Sequence, residues 1–301
     1  MDWILLCVIF SILPAIFWFW FLIFSKKEIR TVSLKSLAEV FGGGFFLATV
    51  AMLIEKNLAK ILPLDYLSNI KEPFFAINPR ALIFIFILTF ILIAPLEELL
   101  KYFFLKKEIY RKKEIDLVIE GVQLGIVLSL GFATLENGFY FYQAASYKIL
   151  GSLFIFRLFL STLAHVLYGG MLGYYLTLSK FHKLYSNFFL RRGLITVIIL
   201  HGFFNFFLLT QAFYYAVGMV ILVFVILMKW IIDRRDFESF VIKKKAPVSA
   251  PLLVKKQEVD VFLTRGELRF SEIKNFSFCP RCLSIKKIGD KKCPYCGMKF
   301  D

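Results

Sequence analysis

Glu97 and Glu98 stand side by side, with Lys101 one helical turn on, in the stretch Ala94-Pro-Leu-Glu-Glu-Leu-Leu-Lys101 near the end of an apolar run that opens at Ala81. An ionised side chain at the centre of a hydrocarbon layer costs at least about 2.5 kcal/mol, so such groups persist there with a partner or a task. On a helix Glu97 and Lys101 stack, while Glu98 points about 100° away, so the two acids can serve different neighbours. Three later apolar runs carry matching groups. Phe132, Glu136 and Tyr140 form one stripe, continued backwards by Ser129, Gly125 and Gly121. Arg157, Ser161, His165, Gly169 and Gly173 recur at every fourth position, and His201 shares a face with Asn205. The small residues in two of these stripes let helix backbones approach closely. Taken singly, each histidine could be a packing group and each glutamate a clamp for Arg157 or Lys101. Three carboxylates and two imidazoles in four successive apolar runs are too costly to keep as glue, and together they point to a catalytic or transport site.

The elements that must position these groups are membrane helices. Of the 301 residues 59% are hydrophobic and 18% aromatic, and the mean hydropathy of +0.71 lies outside the range of soluble domains. The expected fold is an all-α polytopic membrane protein with about seven transmembrane helices, near Trp3–Phe24, Val32–Ile54, Ala81–Leu105, Leu117–Tyr142, Gly151–Leu178, Gly193–Leu209 and Phe213–Ile232. Lipid offers the backbone no hydrogen-bond partners, and the runs lack strand-like alternation. The second run is the weakest, since Lys35, Glu39 and Gly42-Gly43-Gly44 make it half amphipathic, with a re-entrant helix as the alternative. The last run holds no ionisable residue between Phe213 and Met228 and reads as scaffold. No signal peptide is expected, because Trp3–Phe24 lacks a basic start and a small-residue cleavage site.

Basic residues set the expected orientation. Lys26, Lys27 and Arg30 follow the first span, Lys106 to Lys113 the third, Lys180 to Arg192 the fifth, and Arg234 to Lys245 the seventh. Basic loops stay in the cytoplasm, which places the N-terminus outside and the C-terminus inside. The formal charge of +15 thus fits an anionic membrane face, and nucleic acid is not expected as a partner. Counting about 1.5 Å per residue from the nearest basic loop, Glu97 and His201 lie about 13 Å deep and Glu136 and His165 about 22 Å. One shared site therefore requires tilted helices or spans that begin a turn away from these bounds.

In this order, Glu97-Glu98-x-x-Lys101, Phe132-x-x-x-Glu136-Asn137, His165-x-x-x-Gly169 and His201-x-x-x-Asn205 resemble the four motifs of the PrsW family of intramembrane proteases, within the CAAX-protease and bacteriocin-processing superfamily. The resemblance covers about residues 81–209. It implies an intramembrane endopeptidase acting on a membrane-protein substrate. The wider superfamily has His where this chain has Glu136, and an Arg one position beyond Lys101, so its prenylated substrates are not carried over. Peptide hydrolysis needs an activated water, charge stabilisation for an oxyanion and a proton for the leaving amine. Glu97 is the expected general base, with Glu98 orienting it or Lys101. Two schemes fit the rest. In a metal-free scheme Glu97 and a second group activate water while His201 and Asn205 donate to the oxyanion. In a zinc scheme Glu136, His165 and His201 form a three-ligand site with one open position. The resemblance implies the second, since the family is described as metalloproteases. The competing classes are a proton-coupled transporter, against which stands the lack of inverted repeats, and a non-catalytic membrane receptor.

The C-terminal part has a different character. A membrane domain over residues 1–232 is followed by a basic, proline-containing linker over 233–258 and a small module over 259–301, where a short hairpin is expected between Val259 and Phe270. Cys279-Pro-Arg-Cys282 and Cys293-Pro-Tyr-Cys296 are two Cys-x₂-Cys pairs separated by ten residues, the pattern of a zinc-ribbon-like tail with one structural zinc held by four thiolates. Metal would supply the fold that so small a core cannot. A docking or regulatory role, with a cytoplasmic protein partner, is the expectation for this module.

Overall fold

The helices begin and end where local chemistry dictates. Ser33 accepts a hydrogen bond from the Ser36 N–H at the start of α2 (Leu34–Leu58), and Asn78 caps α3 (Pro79–Ile87), with Pro79 in the first turn, where a missing N–H costs nothing. The carboxylate of Glu120 accepts from the Asp116 and Leu117 N–H groups at the start of α5 (Val118–Gln143). The computed structural model describes residues 3–24, 32–62, 77–112, 115–144, 147–181, 186–243, 276–278, 285–287, 289–292 and 299. Within them the remaining elements are α1 (Trp3–Phe19), α4 (Ala94–Arg111), α6 (Tyr147–Phe156), α7 (Thr162–Phe181), α8 (Ser186–Leu209) and α9 (Phe213–Lys243), and a two-stranded antiparallel pair, β1 (Phe276–Phe278) with β2 (Ile285–Lys287).

Three π-helical turns join or extend helices. Trp20–Phe24 continues α1, Leu88–Ile93 joins α3 to α4, and Arg157–Ser161 joins α6 to α7. The second has a visible cause. Pro95 brings no N–H to the ladder, and the Ala94 N–H bonds the carbonyl of Thr89 five residues back. One extra residue in a turn rotates everything after it by about 100°. At the third turn Trp18 donates its indole N–H to the Leu158 carbonyl at 2.6 Å.

Seven helices are long and apolar enough to cross a membrane: 3–22, 34–58, 79–111, 118–143, 149–181, 186–209 and 213–230. All seven expected spans are present. The second is an unbroken helix through its glycine triplet, and the reason is packing: a Cβ on Gly44 would fall 1.9 Å from the Leu128 carbonyl oxygen. Gly44 admits the α5 backbone, and Gly43 the Phe104 ring, without breaking the helix. The last helix runs to Lys243, through the first part of the segment expected as linker, because no proline interrupts it before Pro247. The expected hairpin of Val259–Phe270, the linker beyond Lys243 and all four tail cysteines lie outside the described residues.

Helix α5 is buried on nearly every face and sits at the centre, packed by α1, α2 and α7. It approaches α7 as closely as it does α2. A Cβ on Gly125 would lie 2.0 Å from the Gly169 carbonyl oxygen, and one on Gly173 2.1 Å from that of Gly121. The outer faces of α1, α2, α3 and α9 expose Ile, Leu, Phe and Val, the surface a bilayer would cover. At the end rich in basic residues, Lys180 donates to the carbonyls of Ile109, Lys112 and Ile115, closing the C-terminus of α4. Lys112 in turn reaches Glu39 and Ser36 of α2.

The longer helices level the depths of the candidate residues. Measured from the helix ends on the basic side, Glu97 lies 14 residues from Arg111, Glu136 18 from Val118, His165 16 from Phe181 and His201 15 from Ser186. These convert to about 21, 27, 24 and 22 Å. The mismatch narrows from about 9 to about 6 Å because α4 and α8 carry their basic residues on the helix itself.

Candidate active site

The focus of the site is an ammonium group. Lys101 Nζ lies 2.8 Å from Glu98 Oε1, 3.5 Å from Glu97 Oε2 and 3.3 Å from His165 Nδ1, and 4.1 Å from the centroid of the Phe132 ring. Its own helix supplies both carboxylates at spacings of three and four, while α7 supplies the imidazole and α5 the aromatic face. Lys101 is 1% exposed and Glu98 0%. Water therefore does not solvate this charge; its neighbours must.

His201 enters from α8. Its Nδ1 lies 2.9 Å from Glu98 Oε1, and its Nε2 4.0 Å from Glu97 Oε2. The rings of His165 and His201 meet edge to face at 5.2 Å. His165 Nε2 is 2.7 Å from Glu136 Oε2, whose other oxygen lies 3.1 Å from Arg157 Nη2. These last two are close charge approaches rather than aligned hydrogen bonds, since Glu136 Oε2 and Arg157 Nη2 have no hydrogen-bond partner among the described residues. Each histidine thus has a carboxylate beside one ring nitrogen and presents the other to the centre, the arrangement by which outer groups set the tautomer and orientation of an imidazole.

Arg157 is itself held. Its Nε donates to Asn137 Oδ1, and Asn137 Nδ2 donates to Thr162 Oγ1 at 3.0 Å. Residues five apart on an α-helix would point about 140° away from each other. The π turn removes that offset, because the Thr162 N–H bonds the Arg157 carbonyl and stacks the two residues. One amide side chain can then hold both ends of the turn. The Arg157 guanidinium also lies over the Tyr140 ring at 4.2 Å.

Of the residues singled out from the sequence, Glu97, Glu98, Lys101, Glu136, His165 and His201 come together. Asn205 lies one turn beyond His201 on α8, partly exposed, and makes no side-chain hydrogen bond among the described residues. The donors that converge are Glu97, Glu98, His165 and His201, with one ligand atom of each within 4.8 Å of the others. The expected zinc triad of Glu136, His165 and His201 shares both histidines with this group and differs in the carboxylate, since Glu136 sits behind His165, between it and Arg157. Sequence reasoning gave no role to Phe132, Asn137 or Glu55. Phe132 and Asn137 stood in the quoted motif, and their spacing from Glu136 was the available signal. Glu55 falls just beyond the expected second span, whose apolar run ends at Ile54. In the structure α2 carries it within electrostatic range of Glu97, Glu136 and Lys101, with a buried Oε1 that has no hydrogen-bond partner.

With this geometry in hand, comparison with known proteins is decisive. A family model described as PrsW family intramembrane metalloprotease matches residues 33–231. The chain belongs to this family. Similar PrsW relatives, each named Protease PrsW, include one from Clostridioides difficile, 27% identical over 260 residues, which are 86% of this chain and 99% of that protein. One from Shouchella clausii is 35% identical over 131 residues, 44% of this chain and 59% of its own length. One from Bacillus subtilis is 32% identical over 124 residues, 41% and 55% of the two chains. The chain thus spans between half and two thirds of the latter two relatives and nearly all of the first. No solved structure matches. The PrsW match takes in every residue of the buried cluster and ends before the cysteine-bearing tail.

The pairing at the focus sets a stability expectation. Lys101→Met leaves two buried carboxylates without their ammonium and should cost about 3–5 kcal/mol. Glu98→Gln in the same chain should recover part of this, with a coupling above about 0.5 kcal/mol between the two positions. Denaturant unfolding in detergent micelles measures all four corners of the cycle, and additive losses would show that the pair is not coupled.

Proposed function

We propose that this PrsW-family chain is an endopeptidase that hydrolyses a peptide bond of a membrane-protein substrate at the buried Glu/His cluster. One observation carries this reading: Glu97, Glu98, His165 and His201 converge inside a bundle of membrane-length helices, around a single lysine. Glu97 is the general base, taking a proton from the attacking water and returning it to the amine nitrogen as the C–N bond breaks. Glu98 holds His201 and Lys101. Arg157 and Glu136 hold His165. The Lys101 ammonium supplies positive charge beside the carbon that gains an oxyanion.

The donor set suits a divalent metal. Two imidazoles and two carboxylates are zinc-type ligands, and Glu98 Oε2 is buried with no hydrogen-bond partner among the described residues. Glu98, His165 and His201 would hold the ion, leaving Glu97 as the base for its bound water and Glu136 as the outer partner of His165. Such an ion would polarise the substrate carbonyl and make a bound water more acidic.

The tail reading rests on pattern and pairing. β1 and β2 pair antiparallel on either side of the segment that contains Cys279 and Cys282, and Lys292 bridges to Lys299 on either side of Cys293 and Cys296. Two such closures, each spanning one Cys-x₂-Cys, support a zinc-ribbon-like module over residues 259–301 that recruits a cytoplasmic protein, joined to a membrane domain ending near Ile232. The basic helix ends support a cytoplasmic C-terminus and an external N-terminus.

Three measurements test these points. Glu97→Gln, Glu136→Gln, His165→Ala and His201→Ala should each reduce cleavage of a membrane-anchored reporter by at least about 100-fold. Cleavage at the wild-type rate in Glu97→Gln would falsify the assignment, and proton flux in its place would favour the transporter. Metal analysis of the full chain should find two zinc ions, falling to one when Cys279, Cys282, Cys293 and Cys296 are all replaced by Ser. A cleaving, chelator-indifferent chain with no ion left after that replacement returns the site to the metal-free scheme. Single cysteines placed at Lys106 and Lys107 should be labelled from the cytoplasmic side; labelling from outside inverts the orientation.

A further inference from the structure

Tyr168 lies one turn beyond His165 on α7 and is one of the largest fully buried side chains, 1% exposed. Its ring stacks on the His201 ring, with centroids 5.7 Å apart and planes at 30°. His201 is therefore held between the edge of His165 and the face of Tyr168. The Tyr168 hydroxyl has no hydrogen-bond partner among the described residues. Buried tyrosine hydroxyls are normally paired, because leaving one unpaired forfeits its hydration with no return. Phenylalanine would fill the same space without that penalty. A second buried polar atom beside the same imidazole, Glu98 Oε2, is likewise without a hydrogen bond. Both residues in contact with His201 on these sides thus carry an unmet polar atom, and of these only the Tyr168 hydroxyl is a neutral donor.

We infer that Tyr168 is a further catalytic residue, whose hydroxyl donates a hydrogen bond to the carbonyl oxygen of the scissile peptide. The inference rests on the reading of this cluster as a peptide-hydrolysing site. In the step concerned, a water oxygen forms a bond to the carbonyl carbon, and its proton passes to Glu97. The C=O electron pair moves onto oxygen, which accepts the Tyr168 O–H hydrogen bond. When that pair returns, the C–N bond breaks and the amine nitrogen takes the proton from Glu97. Tyr168 stays protonated throughout and acts as a donor alone, in a site dry enough for one donor to matter.

Replacing Tyr168 by Phe in the full chain separates this role from packing. With internally quenched casein as probe, in detergent micelles, Tyr168→Phe should lower kcat by about 100-fold and leave KM within about twofold, the signature of a lost oxyanion donor. The thermal midpoint should stay the same or rise, since the variant buries no unpaired hydroxyl. A kcat within about threefold of wild type, with Glu97→Gln inactive, overturns the inference and spares the proposed function. So does a lower thermal midpoint alongside lost activity, which would mean that the hydroxyl holds the fold, or a raised KM at unchanged kcat, which would mean ground-state binding. Turnover by Glu97→Gln at the wild-type rate overturns the proposed function and this inference with it.

Discussion

A buried ammonium in a lipid-embedded bundle has no water to fall back on, and the arrangement around Lys101 follows from that constraint. Its own helix supplies two carboxylates, α7 supplies an imidazole nitrogen, and α5 supplies the face of Phe132. These partners must come from three helices at once, so the helices must lie close. Gly125 and Gly169 make that closeness available, since any larger side chain at either position meets backbone or a hydroxyl at about 2 Å. The spacing of α5 and α7 is therefore tied to the charge they jointly enclose. Buried ion clusters of this kind are poor stability devices, because a well-packed apolar core of equal volume often serves as well or better. Their retention is better explained by chemistry than by folding.

Around the focus, support is layered. Glu98 stands beside His201, and Glu136 beside His165. Arg157 stands behind Glu136, and Asn137 holds Arg157. The π turn at Arg157–Ser161 is what lets one asparagine reach both Arg157 and Thr162. A second wide turn, before Pro95, sets the rotation at which Glu97 and Glu98 leave α4. Wide turns in helices are found mostly at functional sites, and here each lies within a few residues of a group in the cluster. The result is a site whose rotamers are fixed from outside, as pre-organised electrostatics requires.

Much of this was legible in the chain itself. The seven spans follow from run length and composition, because the thickness of a bilayer imposes both. The polar members of the site were legible for the same reason: Glu97, Glu98, Lys101, Glu136, His165 and His201 are conspicuous only because their surroundings are apolar. The triplet Gly42-Gly43-Gly44 was ambiguous, since a glycine run weakens a helix in isolation and permits close packing in a bundle, and α5 decides which applies. Helix α2 runs four residues beyond the expected end at Ile54 and takes Glu55 with it, because hydropathy ends a span at the first charge while a helix continues.

What the sequence determined, then, is which residues cross the membrane and which of them are too polar to do so idly. Only the tertiary structure decided who faces whom: that Glu136 supports His165 instead of joining Glu97 and Glu98, and that Lys101 occupies the focus. The physical reason is rotation. Hydropathy is a sum over a run and is insensitive to phase, whereas a pairing between side chains depends on the angle at which each helix presents them. That angle is set here by two π turns and a glycine contact, whose effects appear only when the helices are packed together.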